Sequence, residues 1–384
     1  MIIGAVYRDI SCINMADAEG SSSYGTVNTR AAYQSGNNDQ TDTLVNKFYY
    51  PKYVDNSLRD YSASVGQHFV TIPNLDEREY WVRIFFRSTT TTHTGGDYDF
   101  FAFHQDSVAL PWNVVGSFRL NSANQYVWLV RDGGATINTQ VICNKSLIPV
   151  NSNDQEYILD VRIFLDPVAG FVQLYDYTGT KVGEFLGKTI NDQRYPTHAQ
   201  LLLRNLSTTA AYMNNTFIIF ANEPTFGMYM VPLRAKAEGG RQDQDAGFTY
   251  ANISTRRPYF SGWPTSVDMT VNLGETKRYT FTPKDMSDVA LPANYVVRSV
   301  HLHSIMDGTT ANGDTLAPKH LLRFKSDTSE YEYPVQNEIL TNTRYAAANK
   351  YQTNYTILNT NPKTNQSWTV ADMTDLEVGV SLTR

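Results

Sequence analysis

The stretch from residue 157 to 186 limits what this chain can fold into more than any other. Its first arm, Tyr157-Ile-Leu-Asp-Val-Arg-Ile-Phe-Leu-Asp166, alternates strictly. Tyr157, Leu159, Val161, Ile163 and Leu165 fall on one side, and Ile158, Asp160, Arg162, Phe164 and Asp166 on the other. A period of two with one wholly apolar side marks a strand buried on that side. Pro167 and Gly170 punctuate one turn and Gly179 a second, so the stretch predicts strand, turn, strand, turn, strand.

The rest of the chain has the same grain. Short apolar runs at 81–86, 100–104, 117–120, 125–131, 198–206 and 216–221 are separated by Gly, Asn, Asp or Pro. Tyr (25) and Phe (18) are abundant and charged residues make up only 18%, a balance that fits pleated surfaces and turns. No run holds a helical period for more than a few turns. The expected class is therefore all-β, with a jelly-roll sandwich followed by a smaller C-terminal β-sandwich. A length of 384 residues exceeds one ordinary core and calls for more than one domain. Residues 1–75 are polar and irregular and read as an N-terminal arm or long loops packing on the first sandwich, which spans 76–225. Residues 226–255, with Glu238-Gly-Gly-Arg-Gln-Asp-Gln-Asp-Ala-Gly247, read as a linker, and 256–384 as the second sandwich.

Several function classes lose support. The net charge is −6, with no Lys/Arg cluster, so the counterion-release term behind nucleic-acid affinity is missing. No apolar run nears the roughly 18 residues that span a bilayer. The start, Met-Ile-Ile-Gly-Ala-Val-Tyr-Arg-Asp, lacks the basic region and apolar core of a signal peptide, which points to synthesis in a cytoplasm. Two cysteines, Cys12 and Cys143, are too few for a disulfide framework; two buried thiols or a single bridge both remain open.

Glycosidic chemistry would need two carboxylates facing each other across one site. Glu330 with Glu332, and Asp97 with Asp99, are i, i+2 pairs that share a face if extended, and both read as solvated surface carboxylates. Asp97 and Asp99, beside Gly95 and Gly96, are also weak candidates for Ca²⁺ oxygens. His301 and His303 share a strand face and His320 is a distant third, which reads as structural histidine. Asp132-Gly-Gly134 is a hairpin turn, since no Lys-Ser/Thr or helix follows it. The chain is thus expected to be no enzyme, with no catalytic residues, cofactor or resident metal. What remains is aromatic: Tyr98, Trp112, Tyr126, Trp128, Tyr259, Trp263 and Trp368 are candidate ligand or interface faces, most of them core or interface, with Trp263 read as packing between the domains.

Two resemblances add expectations. The hairpin Phe171-Val-Gln-Leu-Tyr-Asp176 with Thr178-Gly-Thr-Lys-Val182 resembles the back-sheet hairpin of concanavalin A-like, laminin-G-like jelly rolls. That likeness covers about 75–222 and implies a two-sheet sandwich whose face or loops bind sugars or proteins. The end of the chain, Asn361-Pro-Lys-Thr-Asn-Gln-Ser-Trp-Thr-Val-Ala-Asp-Met-Thr-Asp-Leu-Glu-Val-Gly-Val380, resembles a closing pattern of tailed-bacteriophage virion proteins. It implies a structural component of a tail, baseplate, fibre or capsid decoration, assembled in the host cytoplasm. Its partners would be other virion proteins and copies of itself. The alternative it leaves is a receptor-binding module for a host surface glycan.

Overall fold

The computed structural model describes residues 1–7, 31–34, 57–60, 66–72, 75–88, 97–105, 114–132, 135–148, 156–193, 195–205, 213–231, 233, 235–243, 249, 271–283, 294–306, 317–335 and 352–384. The chain divides into two compact units, the first from Met1–Phe48 and Val54–Met230, the second chiefly from Val231–Arg384.

In chain order the first unit holds β1 (Ile2–Tyr7), β2 (Ala31–Gln34), β3 (Ser57–Asp60), β4 (Gly66–Ile72), β5 (Glu79–Ser88), β6 (Tyr98–His104), β7 (Val114–Leu120), β8 (Gln125–Asp132), β9 (Ala135–Asn144), β10 (Glu156–Phe164), β11 (Gly170–Tyr175), β12 (Lys181–Gly187), β13 (His198–Asn205) and β14 (Met213–Ala221). They form two antiparallel sheets. One runs β12-β11-β10-β5-β14-β3-β2 with β1 also on β14; the other runs β4-β13-β6-β7-β8-β9. This is the all-β jelly-roll sandwich expected of the alternating strands and their turn spacing.

The inner faces supply the core. Tyr157, Leu159, Val161, Ile163 and Leu165, the apolar side of the organising strand, are all buried, and they meet Tyr80, Val82, Ile84 and Phe86 of β5. The facing sheet contributes Phe101, Phe103, Phe118 and Trp128, with Phe101 stacked on Phe118 at 5.4 Å between centroids. The Trp128 indole N–H donates to the Thr189 carbonyl at 2.8 Å, so the one polar atom of that ring is satisfied in the core. Both predicted turns form: Gly170 opens β11, where a Cβ would lie 2.7 Å from the Phe164 carbonyl oxygen, and Gly179 takes a φ of +83° in the β11–β12 turn.

Two expectations need correction. Residues 1–75, read as an arm of long loops, contribute β1 to β4 to the two sheets. These strands are short and borrow their register from β14 and β13, far along the chain, so no local pattern announces them. The 226–255 linker likewise holds a strand, β15 (Ala235–Gln242). Its glycines serve close approach: a Cβ on Gly239 would lie 2.4 Å from the Thr280 hydroxyl, and one on Gly240 would strike the Arg323 guanidinium.

The second unit continues with β16 (Thr276–Pro283), β17 (Val300–Met306), β18 (Ala317–Phe324), β19 (Glu330–Pro334), β20 (Gln352–Leu358), a short helix α1 (Val370–Asp375) and β21 (Leu376–Thr383). Five strands pair in the order β15-β16-β21-β18-β19, and β17 pairs β20 as a ribbon. Val300, Leu302, Leu358, Leu322, Phe324, Leu376 and Trp368 bury together, so the ribbon and the sheet share a small core.

Candidate functional site

The outer face of the β12–β11–β10–β5 sheet is where the first unit concentrates chemistry on its surface. Register places three rows of side chains across it, about 14 Å wide at the ordinary strand spacing. The first row is Arg83, Asp160, Tyr175 and Lys181; the second is Trp81, Arg162, Gln173 and Glu184; the third is Glu79, Phe164, Phe171 and Leu186.

The floor of the first row is a buried ion pair. Arg83 donates to Asp160 at 2.5 Å, with side-chain exposures of 1% and 0%. The Thr225 hydroxyl donates to the other Asp160 oxygen at 2.6 Å, and Tyr229 lays its ring 5.1 Å from the Arg83 guanidinium. Burial pushes the Asp160 carboxyl above its ordinary range, against the pull of Arg83 and of the Thr225 hydrogen bond. In the same part of the face Trp81, Tyr175 and Phe226 form a three-ring cluster with centroids 5.1 to 5.7 Å apart. Phe226 keeps 40% of its surface in solvent.

The second row is open and polar. Arg162 Nε donates to Glu79 at 2.7 Å while its guanidinium lies over the rings of Phe171 (4.8 Å) and Trp81 (5.6 Å). Tyr175 donates to the Gln173 carbonyl oxygen at 2.8 Å, and the Gln173 amide donates to Glu184. Hydrogen bonds from Gln173 and then Lys181 hold the Glu184 carboxyl below its usual range, so it is an acceptor and not an acid at neutral pH. The third row ends on Leu186, 67% exposed. Flat rings beside fixed carboxylates, an amide and a guanidinium suit a ligand with an apolar face and a rim of hydroxyls.

Sequence reasoning missed this face because its members come from four strands and the segment after β14. The signal within reach was the mixed side of β10, where Asp160, Arg162 and Phe164 alternate with the core.

The residues that the sequence singled out fall elsewhere. Tyr98 and Tyr126 are fully buried, Trp128 likewise, and Trp368 is 4% exposed, so these four are core aromatics and present no ring to a ligand. The reason is that β6, β7 and most of β8 are buried on both faces, which the alternation of one strand cannot reveal. Trp368 donates its indole N–H to the Leu358 carbonyl at 2.7 Å, closing the core of the second unit. Trp112, Trp263 and Tyr259 lie outside the described residues, as does Cys12; Cys143 is a buried free thiol.

Asp97 and Asp99 converge, as their spacing predicted, but on a cation of the chain itself. Arg119 Nε donates to Asp99 at 2.6 Å and another guanidinium nitrogen to Asp97 at 2.6 Å, while the Ser122 amide caps Asp97 at 3.1 Å. Glu330 and Glu332 are not solvated carboxylates either. Arg241 and Arg323 reach Glu330, and Glu332 accepts from Arg278 (2.9 Å) and Lys319 (2.7 Å). Burial raises the cost of the Glu332 charge, yet the hydrogen bonds from Lys319 and Arg278 outweigh it and bring the carboxyl down to about 2. His320 is buried with Nδ1 at 2.7 Å from the Thr356 hydroxyl, and His301 Nε2 lies 2.7 Å from the Ser299 hydroxyl. Among the described residues no cluster of His, Cys, Asp and Glu could hold a metal, and no helix is long and apolar enough to cross a membrane.

No protein-family model matches the chain, and no curated protein is similar to it in sequence. Solved structures similar to it include a legume lectin-like domain from Entamoeba histolytica, at 6% identity over 44% of this chain and 85% of that one, TM-score 0.32. Lectin I-B4 from Griffonia simplicifolia is 13% identical over 43% and 87% of the two chains, TM-score 0.29. The CBM2 module of the evolved Dit of Lactobacillus casei phage J-1 is 14% identical over 43% and 75%, TM-score 0.30.

Proposed function

We propose that the first unit is a glycan-binding domain and that its binding face is the outer side of β5, β10, β11 and β12. One observation carries the reading: exposed apolar side chains (Phe226, Leu186) stand beside a row of mutually oriented hydrogen-bonding groups, Glu79, Arg162, Gln173 and Glu184. The groups are held by one another and by cross-strand register, so little ordering remains to be done when a sugar arrives. Among the described residues of the face, the one carboxyl pushed toward the protonated form, Asp160, is sealed beneath Thr225, which favours recognition over acid catalysis.

The ligand would be a short oligosaccharide of a host surface, and the whole chain a non-enzymatic component of a tailed-phage particle. The second part rests on the resemblance carried by residues 361–380. A glycan array probed with the intact chain tests the first part. Binding that falls tenfold or more in Gln173→Ala and Phe226→Ala supports it; an array silent at high protein concentration sinks it. Mass spectrometry of purified particles tests the second, which fails if the chain is found only in free lysate.

A further inference from the structure

Four edge strands have their side chains described throughout, β9, β12, β15 and β19, and β9 differs from the other three. It ends the second sheet of the first unit, and among the described strands only β8 pairs with it. From Ala135 to Thr139 both of its faces are exposed, and Ile137 and Val141 are each 50% in solvent. Its segment Ala135-Thr-Ile-Asn-Thr-Gln-Val141 carries no charge, no proline and no glycine. The other three are blunted. β12 carries Lys181 and Glu184 with two glycines, β15 carries Lys236, Glu238 and Arg241, and β19 carries Glu330, Glu332 and a proline. Lysines, prolines and charges on an edge are the ordinary means of preventing strand-to-strand association. β9 lacks them.

We infer that β9 is a pairing edge for β9 of a second copy of this chain, antiparallel about a two-fold axis. A second copy fits for three reasons. An antiparallel strand pair about a two-fold is self-complementary by construction and closes as a dimer. A neutral segment meets its own image without like charges opposite each other, although the chain as a whole carries −6. Register shifts in the β8–β9 ladder, at Val130/Arg131 and at Tyr126/Val127, leave a regular window over Asn138, Thr139, Gln140 and Val141. Such bulges break the pairing on either side, so the window admits one short register and not an open-ended ladder. Centred there, the two-fold sets Thr139 of one copy opposite Gln140 of the other, twice. The inference rests on the edge alone and is independent of glycan binding.

The test is the mass of the intact chain by light scattering after size exclusion, from about 1 to 100 μM, for the wild type and two variants. Thr139 is exposed and Gln140 half-exposed, so both positions tolerate polar replacement. Thr139→Lys/Gln140→Lys places lysines opposite lysines at both contacts and is expected to raise the dimer dissociation constant roughly tenfold or more. Thr139→Lys/Gln140→Glu places opposite charges there and is expected to dimerise as the wild type does. A wild type monomeric at 100 μM overturns the inference, as does a dimer indifferent to the double lysine. Loss of the dimer in both variants overturns the register and with it the two-fold. Far-UV circular dichroism and melting of each variant confirm that the comparison is between folded chains.

Discussion

The two units solve the same problem, how to keep charge inside a β-protein, in opposite ways. The first buries its charges as discrete pairs, Arg83–Asp160 at essentially no exposure and Arg119–Asp99 at 10% and 2%. The second spreads charge as a network over the face of its five-stranded sheet opposite the small core. There Arg241, Arg278, Arg323 and Lys319 interleave with Glu330, Glu332 and Glu377, and the contacts range from nearly buried to half-exposed. The difference shows in titration. Burial drives the Asp160 carboxyl up, whereas a ring of donors brings Glu332 down to about 2. A lone desolvated pair is geometrically specific but stabilises little, since desolvation cancels most of the attraction. A half-solvated network is weaker per contact but adds up while its carboxylates stay ionised.

The largest effect should come from breaking the buried pair. Asp160→Ala leaves Arg83 uncompensated in a dry site and is expected to cost the first unit about 3–5 kcal/mol in denaturant unfolding. Arg83→Met with Asp160→Leu should recover most of that loss, because an apolar pair of similar volume carries no desolvation cost. If the double variant is as unstable as the single one, the pair contributes net attraction and the contrast with the second unit collapses. Next in size is Trp368→Phe, which leaves the Leu358 carbonyl unpaired in the core of the second unit. It is expected to cost about 1–3 kcal/mol, and hydrogen exchange should quicken in β20 and β21 while β10 stays protected.

Acid should separate the units more gently. A carboxyl held below its unfolded value contributes stability above the unfolded pKa and loses it as pH falls. For Glu332 that window runs from the ordinary 4.5 down to about 2. Asp160 has the opposite sign, since its raised folded value makes protonation favour the folded state at low pH. Between pH 4.5 and 2, exchange should therefore rise first in β16, β18 and β19. Equal acid sensitivity in β5 and β10 would remove the distinction.

How much of this was legible depended on where the partner of each residue lay. The core face of β10 could be read because five apolar residues alternate within one strand, and the β11–β12 hairpin because Gly179 marks its turn. The opposite face of the same strand could not: Asp160 owes its burial to Arg83 and Thr225, which lie 77 and 65 positions away. Glu330 and Glu332 looked solvated for the same reason, since their cations sit on β15, β16 and β18. Tyr98 and Tyr126 looked available because sequence shows which way a side chain points along its own strand and not whether a second layer lies beyond. The first four strands were invisible because register with β14 and β13, and not their own alternation, makes them strands. Period reports a face, and only the fold reports what covers it.

The smallest expected effect tests whether the C-terminal motif stands on local or tertiary support. Helix α1 has six residues and buries none of them. A helix that short is unstable on its own, so its ends must be fixed. Thr369 accepts from the Asp372 amide, and the Asp372 carboxylate accepts from the Thr369 amide at 2.7 Å, a reciprocal capping box. Thr369→Ala should cost the second unit about 1 kcal/mol, and Thr369→Ser much less. The loss should appear as faster exchange at residues 370–375, with β21 unchanged, because β21 is held by β16 and β18 on its two sides. If exchange in α1 does not change, the packing of Met373 against the small core holds the helix instead of the cap. The second unit would then depend on buried contacts as heavily as the first.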